Sequence, residues 1–337
     1  MKPRCPLPCL SALLLFLMTG CGLSPHMNYS VVPEETLNQL PKVQLAELRG
    51  NSLAFASEPK QNVAVPMFAH LGVPCVRAKV NGRLTRLLVD TGCQNTVIEA
   101  QTAVNAQVRT FPRDQVHMTL IGTLGTEKAM VGLPTLVELG AWRLHHLPCI
   151  VRTSENHWQS SPWKEIPVGF DSLGMDVVHR TCHYLTFDYP HDEVRFGLGC
   201  SFTPPQFGPV WHVPLTFQHG LPYVTLRTDG QEWTALVDTG CNGMIEMDQS
   251  LAARLGAMNF ARPVLTTRFG VGTADKATKG QDYHTVMMSR LDSLGPPMAN
   301  IKMLIIQGKT KIGTGLLRRF RVTFDLDRSV LWLEDVG

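Results

Sequence analysis

Short runs of alternating apolar and polar residues make up most of the chain after residue 66. Residues 73–80 (VPCVRAKV) alternate in this way, Asn81-Gly82 is a typical hairpin turn, and a second, largely apolar run ends at Val89. A period of two predicts strands that bury one face, and an Asn-Gly pair favours a tight turn between them. This pattern predicts a chain built mainly of β-hairpins.

Helical patterns are rare by comparison. The clearest runs from Asp248 to Leu255 (DQSLAARL), and Gly256 ends it. Shorter helices are predicted after Gly174 and Gly313. Because the remaining segments have strand and turn patterns, the predicted fold class is all-β with a few short helices.

The chain also contains a long internal repeat. Residues 73–93 (VPCVRAKVNGRLTRLLVDTGC) and 221–241 (LPYVTLRTDGQEWTALVDTGC) align without a gap at an offset of 148, and 9 of the 21 positions are identical. A repeat whose copies are 148 residues apart is too long for a solenoid and is typical of a duplicated β domain. Four further pairs of similar segments follow in the same order: 125–129 and 272–277, 173–180 and 312–319, 185–188 and 322–325, and a final strand at 193–198 and 329–333.

The repeat predicts two lobes on one chain. Lobe 1 covers residues 66–200 and lobe 2 covers residues 215–337. Residues 201–214 contain several prolines and are predicted to be the linker between the lobes. Residues 22–65 are polar and weakly periodic, so they are predicted to form a tether or a loosely packed extension.

The N-terminal 21 residues have the composition of a signal sequence. Two basic residues precede an apolar stretch, Leu10 to Met18, that is too short to span a bilayer. The stretch leads into Thr-Gly-Cys21, which resembles a bacterial lipoprotein signal with Cys21 as the lipidated residue; an ordinary secretory signal is the alternative. By the same resemblance Gly22, which is not Asp, favours the outer membrane. We therefore expect a periplasm-facing lipoprotein of the bacterial cell envelope, held at the membrane through Cys21.

Composition and charge exclude several function classes. The net charge of +3 is small and the basic residues form no stripe, so nucleic-acid binding is not expected. No His-Glu-x-x-His element is present and the cysteine spacings match no zinc pattern, so neither a metal site nor another cofactor is predicted. Export would permit disulfides among the six cysteines after Cys21, in a connectivity that the sequence does not determine.

An apolar strand ends in Asp-Thr-Gly-Cys once in each half of the chain. Burying Asp90 or Asp238 is costly unless the carboxyl group is protonated or hydrogen-bonded, and Gly92 and Gly240 would let the chain turn sharply beside it. Two such loops placed face to face would hold two carboxyl groups that share one proton. One group could then take a proton from water while the other polarises a peptide carbonyl.

This construction resembles the retropepsin-like (clan AA) aspartic proteases, over residues 66–200 and again over 208–336. The resemblance rests on the apolar strand before Asp-Thr-Gly, the Thr-Val-Ile or Met-Ile-Glu after it, and the apolar-Gly segment about 80 residues later. It implies two pseudo-symmetric β-barrel lobes and an aspartic-type endopeptidase that acts on exported or envelope polypeptides. Because both lobes lie on one chain, we expect a monomeric catalytic unit, with swapped dimers as the alternative.

The resemblance also implies roles for individual residues. Asp90 and Asp238 would be the catalytic pair. The residues implied to support this pair are Thr91, Gly92, Cys93, Thr239, Gly240 and Cys241. The residues implied to form two flaps over a bound peptide are Ile121, Gly122, Gly125, Phe269, Gly270 and Gly272. The segments containing Gly174 and Gly313 would support the active-site loops from behind.

Two departures from the family pattern change these expectations. Cys93 and Cys241 stand where the family usually has Ser or Ala, and a thiol is a weak hydrogen-bond donor, so we expect a working range of mildly acidic to near-neutral pH. No histidine recurs at matched positions to activate either thiol, so both are interpreted as small buried apolar groups. Ser172 and Lys311 stand where apolar residues are usual, which weakens the predicted support.

Other functions remain open at this point. A non-catalytic, peptide-binding envelope lipoprotein could use the same scaffold, and a purely structural envelope lipoprotein is a third possibility. The two aspartates could also be turn residues that follow edge strands. The duplicated motif favours the enzyme, because a binding protein has no physical need for two carboxyl groups that share a proton.

Overall fold

Strands form most of the regular structure, and the helices are few and short. The computed structural model describes residues 26–48, 55–116, 118–122, 125–161, 164–228, 230–264, 283–291 and 293–336. Over these residues the predicted all-β fold class is confirmed. The predicted signal sequence with Cys21, and the predicted flap residues Phe269, Gly270 and Gly272, lie outside the described residues. No helix in the described ranges is long and apolar enough to cross a membrane.

The first half of the chain forms strands β1 to β17 and helices α1 to α4. The strands are β1 (His26–Val31), β2 (Ala56–Glu58), β3 (Val63–His70), β4 (Val73–Val80), β5 (Arg83–Val89), β6 (Val97–Ile98), β7 (Arg109–Thr110), β8 (Met118–Gly122), β9 (Gly125–Leu133), β10 (Leu136–Leu139), β11 (Trp142–His145), β12 (Cys149–Arg152), β13 (Ser154–Ser161), β14 (Lys164–Pro167), β15 (Asp171–Leu173), β16 (Tyr184–Asp188) and β17 (Glu193–Gly197). The helices are α1 (Glu34–Asn38), α2 (Leu45–Leu48), α3 (Ala100–Asn105) and α4 (Met175–Thr181), with a 3-10 turn at Tyr189–His191.

The second half forms strands β18 to β27 and helices α5 and α6. The strands are β18 (Val210–Gln218), β19 (Leu221–Thr228), β20 (Gln231–Val237), β21 (Ile245–Asp248), β22 (Arg262–Val264), β23 (Tyr283–Leu291), β24 (Met298–Ile306), β25 (Lys311–Ile312), β26 (Arg321–Asp325) and β27 (Val330–Glu334). The helices are α5 (Gln249–Arg254) and α6 (Thr314–Leu317), with a 3-10 turn at Ala257–Phe260.

Each half contains the predicted hairpin that leads to an Asp-Thr-Gly loop. β4 and β5 pair antiparallel and close at Val80 opposite Arg83, with Asn81 and Gly82 at φ values of 48° and 81°. Asn tolerates this left-handed conformation and Gly favours it, which is why the pair forms a tight turn. β19 and β20 pair in the same way, and Gly230 at their turn has φ 77°.

A short strand and a helix follow the same path behind each hairpin. β15 pairs in parallel with β5, and β25 pairs in parallel with β20. Helices α4 and α6 begin directly after Gly174 and Gly313, as predicted. The predicted helix at 248–255 is also confirmed as α5, whose first turn is capped by Oδ1 of Asp248 accepting from the Ser250 amide at 2.9 Å.

The two halves share one six-stranded antiparallel sheet with the order β3-β17-β16-β26-β27-β18. β16 and β26, which are repeat equivalents, pair at its centre with Thr186 opposite Thr323. The two hydroxyl groups lie 2.7 Å apart, and both residues are buried. A pairing of equivalent residues at the centre is the arrangement expected of a pseudo-twofold axis between the halves.

One large apolar core runs through both halves. The Trp142 ring packs on Phe196 with the centroids 4.7 Å apart, and Phe187 meets Phe324 of the other half at 6.1 Å. Aromatic side chains of this size bury large areas, so these contacts join the halves through packing as well as through the shared sheet.

Two expectations about the connecting segments are wrong over the described residues. The 22–65 segment is packed rather than loose: β1 pairs with β13, and Leu37 and Leu40 are each 1% exposed in the main core. A few apolar residues suffice to dock such a segment, although its periodicity is weak. The predicted linker ends early, because residues 210–214 belong to β18 and pair with β27. Pro214 is tolerated there since β18 lies at the edge of the six-stranded sheet.

Candidate active site

The two Asp-Thr-Gly loops are held from behind by the short strands of the repeat. The amide of Asp90 donates to the carbonyl of Leu173 at 3.0 Å, and the amide of Asp238 donates to the carbonyl of Ile312 at 2.9 Å. A Cβ atom at Gly174 would lie 2.6 Å from the carbonyl oxygen of Asn95, so only glycine allows this approach. β15 and β25 therefore pass close behind the loops, although the polar residues Ser172 and Lys311 stand where apolar residues are usual.

Thr91 and Thr239 join the two loops through a closed set of hydrogen bonds. The Thr91 hydroxyl donates to the carbonyl of Val237 at 2.7 Å and accepts from the Thr239 amide at 3.1 Å. The Thr239 hydroxyl reciprocates, donating to the carbonyl of Val89 at 2.6 Å and accepting from the Thr91 amide at 3.0 Å. Both threonines are fully buried, so these bonds fix the separation of the loops.

The carboxyl groups of Asp90 and Asp238 face each other across this junction. Oδ1 of Asp90 accepts from the Gly92 amide at 2.8 Å, and Oδ1 of Asp238 accepts from the Gly240 amide at 2.9 Å. A Cβ atom at Gly240 would lie 2.6 Å from Oδ2 of Asp90, and one at Gly92 would overlap the carboxyl group of Asp238. Each glycine therefore leaves room for the carboxyl group of the opposite half.

The environments of the two carboxyl groups differ. The pKa of Asp90 is raised to about 7. Burial is the largest cause and the charge of Asp238 is the second, while the charge of Lys311 lowers this pKa. Asp238 is only 4% exposed, and its Oδ2 accepts an ion-pair contact from Nζ of Lys311 at 2.7 Å. Burial alone lowers the pKa of Lys311, but the charges of Asp238, Cys241 and Glu246, together with the hydrogen bond to Asp238, outweigh burial, and the net shift of that pKa is upward.

Lys311 is the main site residue that the sequence interpretation missed. The sequence pattern marks it only as an unusual residue before Ile312 and predicts no role for it in the chemistry. The structure places its ammonium group next to a carboxyl oxygen of Asp238, one member of the Asp90–Asp238 pair, called the dyad below. A charged residue directly before Ile312-Gly313, where the first half has the uncharged Ser172, is the signal that could have identified it.

Residues 76–171 match the family model described as aspartyl protease. This match supports a retropepsin-like aspartic protease. It covers β5, the first Asp-Thr-Gly loop and the start of β15. No curated protein matches the chain.

The two thiols of this protease-like site are poor candidates for nucleophiles. Sγ of Cys93 donates to the carbonyl of Asn95 at 3.0 Å, and burial raises the pKa of Cys93 well above its ordinary value. Burial also raises the pKa of Cys241, which is 7% exposed. Thiols that stay protonated react slowly, which agrees with their interpretation as small apolar groups. Both are free thiols, as are the other four cysteines that the structure describes, Cys75, Cys149, Cys182 and Cys200.

A cleft with a volume of about 670 Å³ opens over the dyad. Its lining includes Asp90, Asp238 and strand β8, with the predicted flap residues Ile121 and Gly122. β8 pairs with β9 so that Gly122 lies opposite Gly125, and the Ile121 side chain is 77% exposed. The first predicted flap is therefore a hairpin at the cleft, whose residues 123 and 124 are not described.

A buried ion cluster forms part of the cleft wall. Arg152 binds Glu127 through Nε at 2.9 Å and Nη2 at 2.8 Å, and binds Glu99 through Nη1 at 2.9 Å. Arg152 and Glu99 line the cleft, and burial raises the pKa of Glu99 to about 7 despite the nearby guanidinium. These residues were not identified from the sequence, because the partners lie on β12, β9 and before α3 and have no common motif.

A metal site was not predicted from the sequence. In the described part of the chain, no group of three or more His, Cys, Asp or Glu side chains is arranged to hold a metal ion.

Proposed function

We propose that the chain is an aspartic-type endopeptidase that hydrolyses peptide bonds with water activated between Asp90 and Asp238. The observation that carries the proposal is the meeting of two Asp-Thr-Gly loops, one from each half, with their carboxyl groups face to face below a cleft. Thr91 and Thr239, the middle residues of the two loops, are hydrogen-bonded to each other, and these bonds hold the carboxyl groups at a fixed separation.

The dyad needs one proton for this reaction. An ionised carboxyl group takes a proton from the water as its oxygen attacks the peptide carbonyl, and the protonated carboxyl group donates to the carbonyl oxygen. The raised pKa of Asp90 makes it suited to hold that proton at mildly acidic and near-neutral pH. The tetrahedral intermediate then collapses when the leaving nitrogen is protonated, without a covalent bond to the protein.

The substrate class that we propose is exported or envelope polypeptides. This part rests on the N-terminal sequence, which resembles a lipoprotein signal with Cys21 as the anchor. The open cleft beside an exposed hairpin fits an extended peptide, whose backbone could pair with β8.

The test is cleavage of a peptide library by residues 22–337 between pH 3 and 8, with new termini read by mass spectrometry. New amino and carboxyl termini that are absent with Asp90→Asn are the expected result. Retention of library peptides without cleavage would instead favour a peptide-binding lipoprotein on this scaffold. A folded protein that neither cleaves nor retains any library peptide would contradict both functions.

A further inference from the structure

The pseudo-twofold symmetry of the dyad is broken by one charge. Nζ of Lys311 lies 2.7 Å from Oδ2 of Asp238, and the two side chains are only 14% and 5% exposed. The equivalent position in the first half is Ser172, directly before Leu173-Gly174, where a hydroxyl group carries no charge. The two carboxyl groups are thus chemically identical but differ in their neighbours.

The backbone of Lys311 is held on both sides. β25 pairs in parallel with β20 through Leu236 opposite Lys311, and antiparallel with β21 through Glu246 opposite Lys311. A lysine on a surface loop would sample many positions, whereas this one is fixed in the sheet that carries Asp238. Its contact with the dyad is therefore part of the fold.

Four other titratable groups face this ion pair. Asp90 lies across the dyad, Cys93 and Cys241 follow the two glycines, and Glu246 lies on β21. Burial raises the pKa of both thiols, so they are neutral over the working range. With the thiols neutral, the groups whose charges can act on Asp238 are Lys311, Glu246 and, once it loses its proton, Asp90.

We propose that Lys311 is a positioning residue that keeps Asp238 ionised and so assigns the base role to Asp238 and the acid role to Asp90. This inference rests on the proposed function. With Asp90 protonated, Asp238 ionised and Lys311 charged, these three groups have no net charge, which lowers the cost of keeping them in a partly buried site. A symmetric dyad without the lysine would carry one negative charge in the same state.

The reaction follows from this assignment. Asp238 accepts a proton from water, the water oxygen bonds to the carbonyl carbon, and the carbonyl oxygen takes the proton of Asp90. In the collapse, Asp238 gives its proton to the peptide nitrogen, the carbon–nitrogen bond breaks, and Asp90 recovers its proton from a hydroxyl of the intermediate. Both carboxyl groups end in their starting states, so Lys311 need not exchange a proton.

The experiment compares the pH dependence of kcat/KM for wild type, Lys311→Met, Lys311→Gln and Lys311→Arg. Loss of the charge should move both limbs of the profile to higher pH by about one unit, because both proton losses create negative charge beside this site. Arg keeps the charge and should keep the wild-type limbs. Lys79→Met, at an exposed position of β4, is the matched control and should also leave them unchanged.

A merely structural lysine predicts a different result. Lys311→Met and Lys311→Gln would then lose activity equally at every pH, and unshifted limbs in either folded variant would overturn the proposal. Gln retains a hydrogen-bond donor, so it serves where Met does not fold, and melting curves identify folded variants.

Failure of the proposed function would be seen separately, as a folded wild type that cleaves nothing. In that case ¹³C NMR titration of the aspartate carboxyl groups tests the ion pair directly. The signal that is lost in Asp238→Asn should titrate at higher pH in Lys311→Gln than in wild type. An unchanged titration of that signal would overturn the inference whether or not the protein cleaves peptides.

Discussion

Replacing Asp90 with asparagine should stabilise the protein, and increasingly so as the pH rises. Burial, and then the charge of Asp238, raise the pKa of Asp90 from its ordinary value of 3.8 to about 7. Between these two values the folded state holds one proton more than the unfolded chain. The free energy of unfolding therefore falls as the pH rises through this window, and the full penalty is present above about pH 7.

The magnitude follows from the width of the window. Within the window from pH 3.8 to about 7, each pH unit lowers the free energy of unfolding by about 1.4 kcal/mol. If Asp90 were completely buried, the total penalty would therefore be about 4 kcal/mol. Asp90 is partly exposed to the cleft, and solvent screening reduces this penalty to about 2–4 kcal/mol. In a chain of this size 1 kcal/mol shifts Tm by about 2 °C, so Asp90→Asn should melt about 4–8 °C above wild type at pH 8. At pH 4 the two should agree within about 1 °C.

Thermal unfolding followed by circular dichroism from pH 4 to 8 measures this difference. Glu99, whose pKa burial also raises to about 7, is present in both proteins and cancels in the comparison. Asp114→Asn, at an exposed loop position, is the control and should follow wild type at every pH. A constant Tm difference between Asp90→Asn and wild type across this range would refute the claim that Asp90 keeps its proton to about pH 7.

Three other substitutions test separate parts of the site. Arg152→Met should lower the free energy of unfolding by about 3–5 kcal/mol in denaturant titrations, because it leaves Glu127 buried without its guanidinium; a loss below about 1 kcal/mol would contradict the buried cluster. Thr239→Val should cost about 2–4 kcal/mol and lower kcat, since the Thr91 amide and the Val89 carbonyl lose their partner, whereas Thr239→Ser should retain both properties. Cys93→Ser should leave the limbs of the kcat/KM profile unchanged, because the side chain at this position donates to the carbonyl of Asn95 and not to Asp90 or Asp238; a shift of the basic limb to lower pH would show instead that a hydroxyl at this position donates to the dyad.

The features that could be predicted from sequence are those that occur in both copies of the repeat. The two hairpins, the Asp-Thr-Gly loops and the helices after Gly174 and Gly313 each have a local pattern that recurs at matched positions. Their turn and strand preferences are local, so the pattern and the structure agree at these elements.

The features that were missed depend on differences between the halves or on distant partners. The counterpart of Lys311 in the first half is the uncharged Ser172, so a comparison of the two halves for similar residues does not identify the lysine. Arg152 meets Glu99 and Glu127 only after β12, β9 and the start of α3 are brought together. The docking of residues 26–48 depends on a few apolar side chains, such as Leu37 and Leu40, whose spacing alone does not specify a partner surface.

Cleavage by the single asparagine variants tests the central claim most directly. A peptide cleaved by wild-type residues 22–337 is assayed with Asp90→Asn, with Asp238→Asn and with an equimolar mixture of the two. We predict that each variant loses kcat by about 100- to 10,000-fold while remaining folded, and that the mixture stays inactive because both carboxyl groups belong to one chain. Activity that survives either substitution would contradict the dyad, and activity restored in the mixture would place its two halves on different chains.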